Sequence, residues 1–189
     1  MRRVDWSEIE WAETDGAPHL LIPQSMHRLW NGITCWNPNS PDLTKSDYDR
    51  ACTVRSWADT VVSVEGVPTV IFSSEASPMS YIEVDGCPYF FALQTIEDDV
   101  FVRRDDILRL AAEYVGEETY ACSFRLTDTD HILVDAAASE ADIPNDGVSV
   151  AMRPGQYDLF AFQTSSDAMS VIVWRATPAK VGSARVRPD

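Results

Sequence analysis

Two dipeptides constrain this chain more than any other feature. Glu65-Gly66 separates Val61-Val62-Ser63-Val64 from Thr69-Val70-Ile71-Phe72, and Asp85-Gly86 separates the run Ser80 to Val84 from Tyr89 to Leu93. A turn pair between two β-branched and aromatic runs specifies a β-hairpin, because the glycine supplies the backbone angles that a tight reversal needs. Further strand-like runs lie at 119–126, 132–136, 148–152, 156–163 and 169–175. Thr164-Ser165-Ser166-Asp167 joins the last two, and there Tyr157, Leu159 and Ala161 alternate with Asp158, Phe160 and Phe162. Residues 11–23 predict two more short strands around Asp15-Gly16.

Helical signals are fewer. Ser25 is placed to cap a short helix carrying Met26, Leu29 and Trp30, which Gly32 would end. Residues 37–45 are a loop by their Pro and Asn content. Ser46-Asp47-Tyr48-Asp49 has the form of a capping box with an acidic first turn, and Tyr48, Ala51, Cys52 and Arg55 follow at helical spacing. A longer helix starts at Asp105 or Asp106, lines one face with Ile107, Leu108, Ala111, Tyr114 and Val115, and closes at Gly116. Strands thus outnumber helices by about three to one, in hairpin succession and without βαβ alternation. This predicts an α+β fold: a mainly antiparallel β sheet with one or two packed helices. The expected organisation is a single domain over residues 1–176 and a polar C-terminal arm over 177–189, where Lys180, Arg185 and Arg187 stand among few acids.

Charge narrows the partners. The 189 residues carry a formal charge of −15 with a normal 45% hydrophobic content, so the acidity belongs to a chain that can bury a core. Such a charge repels phosphate backbones and anionic lipid, which argues against nucleic-acid and membrane partners, and it attracts a basic protein. No uncharged apolar run approaches the ~18 residues of a membrane span, and the N-terminus has no secretion-type stretch, so a cytoplasmic location is expected. Cys35, Cys52, Cys87 and Cys122 are far apart, and read as reduced, buried small hydrophobes.

The sequence offers no catalytic or cofactor signature. The glycines form no phosphate-cradling loop, no serine sits in a nucleophile elbow, and His19, His27 and His131 have no metal-ligand spacing and read as surface or turn residues. Asp128-Thr129-Asp130 lacks the further oxygen ligands of a calcium loop. No metal, cofactor or catalytic residue is therefore expected. The candidate partner-binding residues are Glu97, Asp98 and Asp99, which fit either a solvated turn or a patch for a cation-rich partner, and Asp128 and Asp130 at a predicted hairpin tip. Trp36 fits either an aromatic anchor in its loop or core packing.

Four segments carry a family resemblance: Trp11-Ala12-Glu13-Thr14-Asp15-Gly16-Ala17-Pro18, Leu20-Leu21-Ile22-Pro23, Leu29-Trp30-Asn31-Gly32 and Asp47-Tyr48-Asp49-Arg50-Ala51-Cys52. In their order and spacing the chain resembles the immunity protein 21 family of bacterial polymorphic toxin systems. Arg153-Pro154-Gly155-Gln156-Tyr157 is similar to the start of that family's final strand, whereas Ala17-Pro18-His19 departs from its pattern. The resemblance implies a mostly β antidote, encoded beside a toxin, that neutralises this cognate toxin by direct 1:1 binding and has no enzymatic activity. Two other readings fit the residues alone: a non-catalytic β-rich domain that binds a ligand or peptide, and an enzyme with a scattered active site.

Overall fold

A computed structural model describes residues 9–14, 16, 18–33, 46–63, 65–74, 77–96, 104–139, 142–167 and 169–179. Among the described residues ten strands form two antiparallel sheets. The first contains β1 (His19–Pro23), β2 (Ala58–Val62), β3 (Pro68–Phe72), β7 (Asp130–Asp135) and β8 (Val148–Ala151), in the order β2-β3-β1-β7-β8. The second contains β4 (Met79–Val84), β5 (Cys87–Ile96), β6 (Thr119–Leu126), β9 (Gly155–Ser165) and β10 (Met169–Pro178), in the order β4-β5-β10-β9-β6. The helices are α1 (Asp47–Ala51), α2 (Arg104–Glu113), α3 (Ile143–Asp146) and a 3-10 turn, Gln24–Leu29. The expected α+β, mainly antiparallel architecture is what forms. Both hairpins close where their turn pairs stand: β2 pairs with β3, and Val84 pairs with Cys87 across Asp85 (φ 51) and Gly86 (φ 75). Positive φ at both central residues matches the right-handed twist of the flanking strands.

The sheets pack face to face. Leu21, Val70, Phe72 and Leu133 of the first share a core with Phe90, Leu159, Ile172 and Trp174 of the second. Phe72 links the layers, its ring 4.9 Å from Phe90 and 5.5 Å from Trp174. The Trp174 indole N–H donates to the Trp57 carbonyl at 3.1 Å, which satisfies its polar atom within the core. The outer face of the first sheet (Leu20, Ile22, Ile71, Ile132, Val134) is covered by Trp30, Ala51 of α1 and Ile143 of α3. The outer face of the second (Phe91, Leu93, Phe162, Val171, Val173) is covered by Ile107 and Leu110 of α2. Coverage on both faces explains why strands such as β3 and β10 read as nearly continuous apolar runs.

Several local expectations change. Ala12 does not form a hairpin with β1; its N–H and carbonyl bond to Met79 at 2.8 and 2.9 Å, at the edge of the other sheet. Ser25 is no cap: Pro23 precedes the 3-10 turn, and the Ser25 hydroxyl donates to Asp128. The Ser46 capping box forms as expected, but α1 ends at Ala51, so Arg55 lies beyond it. α2 stops at Glu113, which leaves Val115 fully outside the helix face and 99% exposed. Gly155 opens β9, which β10 follows, so it does not begin the final strand. β10 runs on through Thr177 and Pro178, and Ala179 bonds to Gln156, so the start of the expected arm is strand.

Candidate protein-binding surface

Several buried polar side chains are held in hydrogen bonds that tie the fold together. Ser123 donates to Asp158 at 2.5 Å and shares a 2.8 Å hydrogen bond with Tyr120, but no histidine joins that chain. His19 is buried, with one ring nitrogen on the Ser74 hydroxyl at 2.8 Å and the other on the Ala12 carbonyl at 2.9 Å, so it ties Ala12 and Ser74 to β1. His131 is 1% exposed, and among the described residues neither ring nitrogen makes a hydrogen bond of ordinary geometry, although the Thr129 backbone lies close enough to favour its charged form. Burial holds both histidines below the ordinary value of 6.5, against the Ala12 carbonyl and Asp135 at His19 and against Thr129, Asp128 and Asp130 at His131. His19 and His131 are therefore core residues and not the surface or turn residues that their spacing suggested. Among the described residues no cluster of three or more His, Cys, Asp and Glu could hold a metal, and no helix is long and apolar enough to cross a membrane. Cys52, Cys87 and Cys122 take part in no disulfide; of the three Cys122 is buried, while Cys52 and Cys87 are half-buried.

The second sheet presents a different kind of surface on the side of α2. Ile82, Tyr89, Arg175, Phe160 and Tyr120 lie directly opposite one another across all five strands. The last four are half-buried. The Arg175 guanidinium sits 5.9 Å from the Phe160 ring centroid, within the range of a cation–π contact, and forms a two-pronged pair with Glu118 whose Nε–Oε1 arm is 2.9 Å. Tyr120 meets the other side of Phe160 edge-on, 5.9 Å between centroids.

Beside this row is a groove of about 490 Å³, lined by Tyr114, Gly116, Glu117, Glu118, Phe160 and Phe162. Tyr114 follows the end of α2, stacks on Phe162 at 4.3 Å and donates its hydroxyl to the Glu117 carbonyl at 3.1 Å. A glycine at 116 lets that ring fold back, since a Cβ there would come within 2.3 Å of the Tyr114 hydroxyl. A second cavity, about 300 Å³, lies where the β4 and β8 edges approach, lined by Tyr81 and Glu83 of one and Val148 and Ser149 of the other; the Tyr81 hydroxyl donates to the Ala151 carbonyl at 2.8 Å.

Of the sequence-derived contact residues, the structure brings two together. Asp128 is half-buried and accepts from Ser25 at 3.3 Å; Asp130 is exposed and begins β7 opposite Ala151. Their turn is not a hairpin tip, because β6 belongs to one sheet and β7 to the other: it is a corner between sheets. Trp36, Glu97, Asp98 and Asp99 lie outside the described residues. The aromatic row and the groove escaped sequence reasoning. The alternation of Asp158, Phe160 and Phe162 is visible, but their cross-strand partners, from Val173 opposite Phe162 to Tyr120 opposite Phe160, come from residues 11 to 40 positions away.

The family model for immunity protein 21 matches residues 10–170. The chain belongs to the immunity protein 21 family. The matched region contains β1 to β9 whole, the start of β10, and both aromatic walls of the groove; Arg175 falls beyond its end. A resemblance carried by short segments in the first third and around residue 155 thus extends over both sheets of this immunity protein. No curated protein and no solved structure matches the chain.

Proposed function

We propose that this member of the immunity protein 21 family is an antidote that neutralises a cognate bacterial toxin by binding it directly in the cytoplasm, 1:1 and without catalysis. The family match over residues 10–170 carries this reading. The charge of −15 supports a basic toxin surface as the partner, because complementary fields raise the encounter rate and an antidote must bind before its toxin acts. The pairing of polar groups in the sheets also fits: Ser123, Asp158 and His19 are engaged with one another or with backbone in roles that stiffen the fold. A rigid two-sheet body that occludes or distorts the toxin's site needs nothing else.

The test is to express the toxin domain encoded beside this gene, with and without this protein, and to follow survival and association from low to high salt. Survival with the protein and death without it are expected, with association slowing as salt rises. Equal killing in both cases sinks the antidote reading. Protection with salt-independent association removes only the electrostatic part.

A further inference from the structure

We infer that the antidote receives a basic segment of its toxin, bearing arginine or lysine, in the groove between the end of α2 and the outer face of β9 and β6. This rests on the antidote reading and deepens it by naming the contact surface and its chemistry.

The groove combines two things a cationic side chain needs, aromatic faces and carboxylates. Half-buried Tyr114 supplies the first, backed by the buried ring of Phe162 at 4.3 Å and bordered by half-buried Phe160, so little ordering is left for binding to do. From Ala111 to Glu118 the chain has three carboxylates, Glu113, Glu117 and Glu118, and no lysine or arginine. Arg175 pairs with Glu118, which leaves the local balance negative. The same surface already shows how it holds a guanidinium, since Arg175 lies over the Phe160 face with its fork on Glu118. Val115 adds an apolar contact: it is 99% exposed, the most exposed large hydrophobic residue described, and folding gives it nothing to pack on.

A volume of about 490 Å³ is in the range of sites that enclose several side chains. Position matters too. Glu117 and Glu118 precede β6 and Asp128 follows it, and eight strand residues span about 26 Å. A standard interface, about 800 Å² per partner, is wide enough to cover both ends. The groove then grips the segment while Asp128 and Asp130 act on the approach.

The experiment uses the toxin domain encoded beside the gene and a double variant, Val115→Arg with Glu117→Lys, both exposed positions. The variant is expected to melt as the wild type does and to bind the toxin domain about tenfold or more weakly. Hydrogen exchange in the wild-type complex is expected to slow over residues 111–120 and 158–163. A double variant that binds within about twofold of a protective wild type overturns the groove and leaves the antidote standing. An exchange footprint confined to other residues does the same, and decides alone if the variant does not fold. Wild-type protein that neither binds nor protects overturns the antidote reading and the groove with it.

Discussion

Gly32 lies so close to Ala138 that a Cβ on it would stand 2.3 Å from the Ala138 carbonyl oxygen and 2.8 Å from that of Ala137. Its φ of +51° adds a second reason for glycine, and neither backbone carbonyl can swing aside as a side-chain end could. Gly32→Ala is therefore expected to cost about 3 kcal/mol or more, from left-handed strain together with the clash. Denaturant unfolding measures it, and a loss below about 1 kcal/mol would show that this crossing yields easily.

The start of α1 separates two carboxylates that look alike in the sequence. Asp49 completes the capping box, accepting from the Ser46 N–H at 3.0 Å and the Ser46 hydroxyl at 2.8 Å. Asp47 is fully buried and accepts from the Asn31 N–H at 2.9 Å, which ties α1 to the segment after the 3-10 turn. Asp49→Ala should cost about 1 kcal/mol, as other cap removals do. Asp47→Ala should cost more, about 1–3 kcal/mol, because it orphans a donor next to the core. Both should still bind the toxin. Unchanged melting with lost protection would mean that this helix start is an interface.

His131 predicts an acid limit to stability. Its folded pKa lies below 6.5, as does that of His19, so the unfolded chain takes up protons that the folded chain refuses. Both contributions are complete above about pH 6.5 and are lost as pH falls below it toward the folded values. His131→Leu removes one such site together with two ring nitrogens that make no hydrogen bond of ordinary geometry among the described residues. We expect the variant to be more stable than wild type by about 1 kcal/mol or more at pH 7, with a shallower fall in melting temperature between pH 6.5 and 5. A steeper fall would show that the ring is held by a partner after all.

The thiols give a check on the compartment. With Cys52, Cys87 and Cys122 in no disulfide, titration of the unfolded chain without reductant should count four thiols, Cys35 included. A count of two would contradict a reducing environment.

What could be read from the residues was what depends on near neighbours. Asp85-Gly86 fixes its hairpin because the turn and both strands lie within a few positions, and Ser46 and Asp49 fix a cap for the same reason. What could not be read depends on distant pairing. Ala12 is 67 positions from Met79, and nothing local distinguishes that bridge from a hairpin with β1. The Asp128 turn has every mark of a hairpin, yet its strands separate into different sheets, since each finds a better-matched apolar face elsewhere. The groove suffered most. Val115 continues the helical spacing and reads as part of the buried face, but the helix stops two residues earlier, so a predicted core residue becomes the most exposed large hydrophobic residue described, next to Tyr114 and Gly116 of the groove.

The second sheet has one more consequence, for how the molecule is made. β10, the last strand among the described residues, lies in the middle of its sheet, with β5 on one side and β9 on the other. As the chain leaves the ribosome, β9 appears with its inner edge unmatched, and β5 waits from 73 residues before β10 begins to within reach of it. Until residue 178 has emerged, two long apolar strands stand with open edges, a state prone to mispairing with other chains. Whatever this face binds, it can bind only once β10 has been made and has taken its place between β5 and β9.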